Sequence, residues 1–170
     1  GLRQEGKPFV GVLYAGLMLT AQGPQLLEFN CRFGDPETQV LLPLLKTDLL
    51  DIAEACVLGR LDQLEVQWHP GAAACVVLAS EGYPGRSPVG RAISGLDEVY
   101  EHGAVFHAAT RRDQQKILTA GGRVLGVSGW GDNLSAALSA AYTAVKHIHF
   151  DGMQYRQDIG WQALGAQGAS

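Results

Sequence analysis

Two polar residues near the amino-terminal end of the chain have the types and the spacing that could hold a metal ion. Glu28 and Asn30 lie in residues 25–30, a segment with the composition of a β-strand. Alternate residues of a strand point to the same face, so these two side chains should project together. A carboxylate and an amide oxygen suit Mg²⁺, which also keeps water and phosphate oxygens as ligands. The spacing therefore indicates an incomplete magnesium site.

Charged residues follow in the next segment and could bind a small substrate. Arg32 carries a planar guanidinium group, which can donate two parallel hydrogen bonds to a carboxylate or a phosphate. Asp35 and Glu37 could meet an ammonium group, and Gly34 would allow a ligand to approach the backbone closely. These residue types leave two interpretations open. They form a binding site, or they are surface residues in which Asp35 caps the following helix and pairs with Arg32.

The elements that must position these residues are a β-hairpin and a helix. Residues 9–20 and 25–30 are predicted to be strands, joined by a tight turn that contains Gly23 and Pro24. Pro36 suits the first turn of a helix, and Pro43 would be its kink or the start of a second helix. Apolar residues recur there at helical spacing, and we expect them to be core residues. They are Leu41, Leu42, Leu45, Leu49, Ile52, Ala53 and Cys56.

A second domain is predicted to follow a polar connector, with domains spanning residues 1–61 and 62–170. It should be mixed α+β and mostly antiparallel, because short turns link its strands. Its predicted strands are residues 72–80, 104–110, 116–119 and 123–130. Residues 111–114 are predicted to be a charged turn, and Asp132 or Asn133 should cap a helix.

The composition excludes several classes of protein. The chain of 170 residues is 46% hydrophobic and 18% charged, which is typical of a folded domain. A net charge of −4 gives no basis for binding nucleic acid or an anionic membrane surface. Cys31, Cys56 and Cys75 are scattered, which indicates buried thiols in a reducing compartment, and a cytoplasmic location is expected.

Longer motifs carry a family resemblance over nearly the whole chain. The sequence resembles the glycinamide ribonucleotide synthetase family, the phosphoribosylamine–glycine ligases of the ATP-grasp superfamily. The segments that carry the resemblance are residues 11–18, 27–38, 82–85, 121–125 and 155–160. The resemblance implies an α+β fold. Residues 1–61 would be the latter part of an ATP-grasp catalytic lobe, an antiparallel sheet plus a helix, and a small mixed α/β carboxyl-terminal domain would follow.

The resemblance also implies a reaction and a set of site residues. ATP, glycine and 5-phosphoribosylamine would give glycinamide ribonucleotide, ADP and phosphate, through a glycyl phosphate, in purine biosynthesis. Glu28 and Asn30 match the ligands of Mg²⁺ or Mn²⁺, and Leu27 matches the floor of the adenine or metal site. The loop residues match the glycine and acyl-phosphate site, and those with catalytic roles would be Arg32 and Asp35. The matching substrate-binding residues are Arg32, Gly34, Asp35 and Glu37.

The resemblance covers only part of such an enzyme. The chain starts at Gly1 in the manner of a fragment, and we expect it to be inactive without the remainder of the same polypeptide. Two alternatives remain. Another ATP-grasp ligase, such as a carboxylase-type subunit, would share the Glu-x-Asn pair, although residues 32–38 favour glycine. A non-catalytic interaction domain would tolerate the loss of Glu28.

Overall fold

The computed structural model describes residues 1–97 and 101–166. The chain forms two compact units, which are described separately. The first comprises residues 1–38 and 45–69, and the second comprises residues 39–44 and 70–170. The domain boundary predicted between residues 61 and 62 stays a prediction.

The first unit contains the β-hairpin that the sequence predicts. Strands β1 (Tyr14–Thr20) and β2 (Gly23–Asn30) pair antiparallel, with Thr20 opposite Gly23. The first strand is shorter than expected, because residues 9–13 lie outside it. Gly11 has a φ of 132°, a backbone conformation that an L-residue in a strand does not adopt, so pairing begins after it.

The prediction of a leucine core is wrong, and so is the alternative of one helix that continues past a kink at Pro43. Two helices form instead, α1 (Thr38–Leu44) and α2 (Leu49–Val57), with a 3-10 turn at Leu61–Gln63. Asp48 caps α2, because its Oδ1 atom accepts a hydrogen bond of 2.7 Å from the amide of Leu50. Pro43 lies inside α1 and starts no second helix. Ala55 is the one buried residue of α2 and α1 has none, so the periodic leucines are half-buried or exposed.

Within its described residues, the second unit contains two antiparallel sheets, the helices α3 and α4, and residues 39–44 of α1. The four-stranded sheet has the order β5–β8–β3–β9, and the three-stranded sheet has the order β4–β7–β6. Asn133 is the N-cap of the longer helix, with Oδ1 2.9 Å from the amide of Ala136. The elements are β3 (Ala72–Ser80), β4 (Ala92–Ile93), β5 (Gly103–His107), β6 (Thr110–Asp113), β7 (Lys116–Thr119), β8 (Arg123–Gly131), α3 (Leu134–Val145), β9 (Met153–Gln154) and α4 (Trp161–Ala166).

The strands predicted at residues 72–80 and 116–119 are confirmed, and the one predicted at residues 123–130 extends to Gly131. The strand predicted at residues 104–110 spans Gly103–His107, and Thr110 begins the next strand. The predicted turn at residues 111–114 is wrong, because residues 110–113 form the outer strand β6. An edge strand with a solvated face accepts charged side chains, so the charges there do not require a turn. The chain reverses between β6 and β7, at residues 114–115, so of the predicted turn only Gln114 lies in it, and its φ of 54° is left-handed.

The core of the second unit lies between α3 and one face of the four-stranded sheet. Val76 and Leu78 of β3 stand opposite Val127 and Leu125 of β8, and all four are buried together with residues of α3 such as Val145. Alternate residues of β3 therefore face the other side of the sheet. Among the described residues, no helix combines the length and apolarity needed to cross a membrane.

Candidate active site

Glu28 and Asn30 contact each other at the end of β2. The Nδ2 atom of Asn30 donates a hydrogen bond of 2.9 Å to Oε1 of Glu28. The sequence-based expectation that the two side chains project to one face is thus confirmed. Glu28 is exposed and Asn30 is half-buried, so the pair is open to solvent and to a ligand.

Residues of β1 complete this face of the hairpin. Tyr14 stands opposite Asn30, and Gly16 stands opposite Glu28. A side chain at Gly16 would press on Glu28, because a Cβ atom there would lie 3.1 Å from Cγ of Glu28. The absence of a side chain at this position therefore leaves room for the carboxylate.

Tyr14 links the strand face to the loop that follows β2. Its hydroxyl donates a hydrogen bond of 2.9 Å to Oε1 of Glu37. This bond, followed by desolvation and the nearby charges of Glu37 and Glu28, raises the pKa of Tyr14 above its usual value. Sequence reasoning missed Tyr14, because its role depends on the hairpin register and on a contact across 23 positions of the chain.

The loop packs closely around Gly34, which is buried. A Cβ atom at Gly34 would collide with the carboxylate of Glu37. The carbonyl of Gly34 accepts hydrogen bonds from both the hydroxyl and the amide of Thr38, the amide at 3.0 Å. In this structure, Gly34 makes room for Glu37 and ties the loop to the first residue of α1.

Two other predicted site residues, Arg32 and Asp35, lie on the same loop and are exposed. Arg32 is exposed, and its Nη1 atom donates a hydrogen bond of 3.1 Å to the carbonyl of Phe33. Its charge acts to lower the pKa of Tyr14, against the larger effect of Glu37. Asp35 is exposed on the same loop, next to a cis peptide bond with Pro36.

Leu27 lies at an irregularity in the hairpin. The register shifts so that Leu26 pairs with Leu17 and Glu28 pairs with Gly16, which leaves Leu27 as the extra residue of a β-bulge. Its side chain is 64% exposed. The predicted role of Leu27 beside adenine or metal stays a prediction, as do the roles of Arg32, Gly34, Asp35 and Glu37.

The contact between Glu28 and Asn30 fits a small, hard cation. Both side chains carry oxygen, although the Asn30 amide would have to turn so that its oxygen replaces the nitrogen now facing Glu28. Across residues 1–97 and 101–166, no cluster of three or more His, Cys, Asp and Glu side chains could hold a metal by itself. An ion at this pair would need further oxygens from substrate and water.

Comparison with known proteins defines the class of the chain. Residues 1–38 match the family model described as phosphoribosylglycinamide synthetase, ATP-grasp (A) domain. The biotin carboxylase domain of Hydrogenobacter thermophilus 2-oxoglutarate carboxylase, solved with MgADP and bicarbonate, has a similar fold. It gives a TM-score of 0.61 at 12% identity, over 91% of this chain and 34% of that one. The chain therefore has the fold of the latter part of an ATP-grasp lobe followed by a small mixed α/β domain.

Residues 73–162 match the model described as phosphoribosylglycinamide synthetase, C domain. The chain is 52% identical to the phosphoribosylamine–glycine ligase of Caldanaerobacter subterraneus subsp. tengcongensis over 93% of its length. It is 51% identical to the chicken (Gallus gallus) trifunctional purine biosynthetic protein adenosine-3 over 96% of its length. The crystal structure of phosphoribosylamine–glycine ligase from Thermotoga maritima gives a TM-score of 0.79 at 36% identity, over 92% of this chain and 39% of that one.

The chain belongs to the phosphoribosylglycinamide synthetase family. It spans only part of its relatives: 38% of the Caldanaerobacter ligase and 17% of the chicken protein.

Proposed function

We propose that this chain supplies part of the active site of an ATP-dependent carbon–nitrogen ligase that joins glycine to 5-phosphoribosylamine. The products would be glycinamide ribonucleotide, ADP and phosphate. The observation that carries the proposal is the joined arrangement of Glu28, Asn30, Tyr14 and Glu37 on one hairpin face and its loop. The family membership and the names of the relatives support the choice of reaction.

The loop residues would bind and activate glycine. Glu37, held by Tyr14, would accept hydrogen bonds from the ammonium group of glycine, together with Asp35. The carboxylate of glycine would then attack the γ-phosphate of ATP, and the amine of the ribosylamine would displace phosphate from the acyl phosphate. Arg32 would stabilise the negative charge that develops on the transferred phosphate. The protein contributes mainly positioning and charge neutralisation.

Glu28 and Asn30 would hold a divalent cation, Mg²⁺ or Mn²⁺, through their side-chain oxygens. When bound, the ion would neutralise the phosphate oxygens of ATP. Leu27, exposed at the adjacent bulge, would contribute an apolar surface beside the nucleotide. Of the three thiols expected to be buried, Cys75 is buried, Cys56 is half-buried and Cys31 is exposed, so that expectation is wrong for two of them. A cytoplasmic location remains part of this proposal.

Activity would require the remainder of the same polypeptide, since the chain spans about two fifths of the Caldanaerobacter ligase. The test is a chimera in which this chain replaces the matching segment of that ligase, assayed beside the chain alone. We expect the chimera to form glycinamide ribonucleotide from ATP, glycine and phosphoribosylamine, and the chain alone to form none. A chimera that uses bicarbonate or formate in place of glycine would contradict the proposed substrate.

A further inference from the structure

Helix α1 contains a proline at a position where a regular helix forms a backbone hydrogen bond. Each carbonyl inside an α-helix accepts from the amide four residues further on. The partner of the Gln39 carbonyl would therefore be the amide of residue 43, and Pro43 has no amide hydrogen. The ring of a proline also presses on the carbonyl four residues before it. The Gln39 carbonyl therefore lacks its regular helical donor.

Ser128 of β8 supplies a donor in place of that amide. Its hydroxyl donates a hydrogen bond of 2.8 Å to the carbonyl of Gln39, which is 89 positions away in the chain. Ser128 is fully buried, and both residues belong to the second unit. The bond therefore compensates for Pro43 and keeps the first turn of α1 hydrogen-bonded.

Strand β8 also makes room for the side chain of Gln39. Gly126 lies two residues before Ser128 and so faces the same side of the strand. A Cβ atom at Gly126 would lie 3.6 Å from Cγ of Gln39, so this side chain lies over the glycine. Within the part of the chain that the structure describes, Oε1 of Gln39 is buried and has no hydrogen-bond partner. Loss of the Ser128 hydroxyl would take a donor from a residue that already has one unsatisfied acceptor, which is costly in a protein interior.

The residue before Gln39 closes the candidate substrate loop. Thr38 donates to the carbonyl of Gly34 from its hydroxyl and from its amide, the amide at 3.0 Å. Gly34 in turn lies against the carboxylate of Glu37. Thr38 and Gln39 are consecutive residues of one helical turn, so a distortion of the backbone at Gln39 would reach the bonds of Thr38 directly.

We propose that Ser128 is a positioning residue for the candidate active site. Its hydroxyl replaces the amide that Pro43 lacks, and the turn that it stabilises holds the loop that carries Glu37. The consequence for catalysis rests on the proposed function, whereas the effect on the turn rests only on the contacts of Gln39. A buried serine that merely satisfied its own hydroxyl would stabilise the fold equally well whichever residue stood at position 43.

Amide hydrogen exchange in the full chain tests the effect on the turn without any need for ligase activity. Ser128→Ala should speed exchange of the Thr38 amide about threefold to tenfold, because one hydrogen bond of the turn is lost. Ser80→Ala is the matched control. Ser80 is also buried, and its hydroxyl donates to the carbonyl of Gly121 at 3.1 Å, so this variant loses a similar bond elsewhere. Exchange of Thr38 that is unchanged in Ser128→Ala, or equally faster in Ser80→Ala, would overturn the proposal.

Pro43→Ala tests whether the hydroxyl replaces the missing amide. An alanine at position 43 gives the Gln39 carbonyl a donor within α1, so the Ser128 hydroxyl is no longer needed. Thr38 in the double variant, Pro43→Ala with Ser128→Ala, should exchange within about twofold of its rate in Pro43→Ala alone. An effect of Ser128→Ala that is equally large in both backgrounds would overturn the proposal.

The chimera with the Caldanaerobacter ligase tests the consequence for catalysis. Ser128→Ala should lower kcat/KM for glycine about threefold to tenfold and leave KM for ATP unchanged, because the turn holds the loop of Glu37. Pro43→Ala should restore kcat/KM for glycine, and Ser80→Ala should match the wild type. Unchanged kcat/KM for glycine, in a Ser128→Ala variant whose Thr38 amide exchanges faster, would overturn the positioning role. A wild-type chimera that does not use glycine would instead contradict the proposed function and leave the exchange results standing.

A second substitution covers the case in which Ser128→Ala does not fold. Ser128→Cys keeps a side chain of similar shape whose thiol is a weak donor. Faster exchange of the Thr38 amide in Ser128→Cys, reversed by Pro43→Ala, supports the proposal. Exchange at the wild-type rate contradicts it.

Discussion

At the scale of single residues, the candidate site depends on one hydrogen bond between side chains far apart in the sequence and on one between near neighbours. Tyr14, at the start of β1, forms a hydrogen bond with Glu37 of the loop that follows β2. Glu28 and Asn30 form a hydrogen bond within β2. Gly34 is needed because a larger residue would displace the carboxylate of Glu37. We therefore propose that Tyr14 positions Glu37 and that Glu37 binds the substrate.

Tyr14→Phe should weaken the use of glycine in the chimera. The change leaves the carboxylate of Glu37 without its 2.9 Å donor, so we expect kcat/KM for glycine to fall about threefold to tenfold while KM for ATP is unchanged. Steady-state kinetics with Tyr14→Phe, Glu37→Gln and the double variant provide the test. The double variant should have a kcat/KM for glycine no lower than that of the less active single variant. Additive losses in kcat/KM would contradict a shared role.

The pH dependence of the bond between Tyr14 and Glu37 has a defined sign. Bonding to Glu37 raises the pKa of Tyr14 above 10.0, because ionisation would destroy the donor. The stabilisation that this hydrogen bond gives is complete at pH below the pKa of Tyr14 in the unfolded chain. It disappears as pH rises through the higher pKa of Tyr14 in the folded protein. Urea unfolding should show wild type and Tyr14→Phe converging in stability above pH 10, with a constant difference near neutrality. A difference that grows with pH would contradict this assignment.

At the scale of elements, the connection between β9 and α4 is held by the ion pair of Arg156 with Asp158, at 2.8 Å. The hydroxyl of Tyr142 in α3 also donates to the carbonyl of Arg156 at 2.9 Å and accepts from the amide of Ile159 at 3.2 Å. The Arg156 hydrogen bonds lower the pKa of Asp158 below 3.8. The stabilisation that the ion pair gives is therefore present at pH above 3.8. It is lost as pH falls through the lower pKa of Asp158 in the folded protein. Thermal unfolding should show Asp158→Asn less stable than wild type at pH 7, with the difference shrinking below pH 3.8. An unchanged difference at low pH would show that the charge of Asp158 is not the cause.

The α3–sheet core provides a second element-scale prediction. Leu125 is 1% exposed between α3 and its sheet, whereas Leu50 of α2 is 73% exposed. Leu125→Ala should lower the free energy of unfolding by about 2–5 kcal/mol, and Leu50→Ala by less than about 0.5 kcal/mol. Urea denaturation of both variants is the measurement. Comparable losses would mean that Leu50 is covered in solution.

At the scale of the whole molecule, features that follow from a local sequence pattern could be predicted. Features that depend on contacts between distant segments could not. The shared face of Glu28 and Asn30 follows from the two-residue period of one strand, and the buried β3 follows from a continuous apolar run. The break between α1 and α2 was missed because a cap at Asp48 competes with a continuing apolar period. The role of Tyr14 was beyond prediction, since it depends on strand register and on a contact with a residue distant in sequence.

Above all, we propose that Glu28 and Asn30 hold the divalent cation of a glycine ligase. The most direct measurement is glycinamide ribonucleotide formation by the chimera, titrated with Mg²⁺, for Glu28→Gln and for the exposed control Glu65→Gln. We predict that Glu28→Gln lowers kcat about a hundredfold or more and raises the Mg²⁺ concentration needed for half-maximal rate, because a phosphate-neutralising ligand is lost. Glu65→Gln should match the wild type. Full activity of Glu28→Gln at the same Mg²⁺ concentration would contradict the claim.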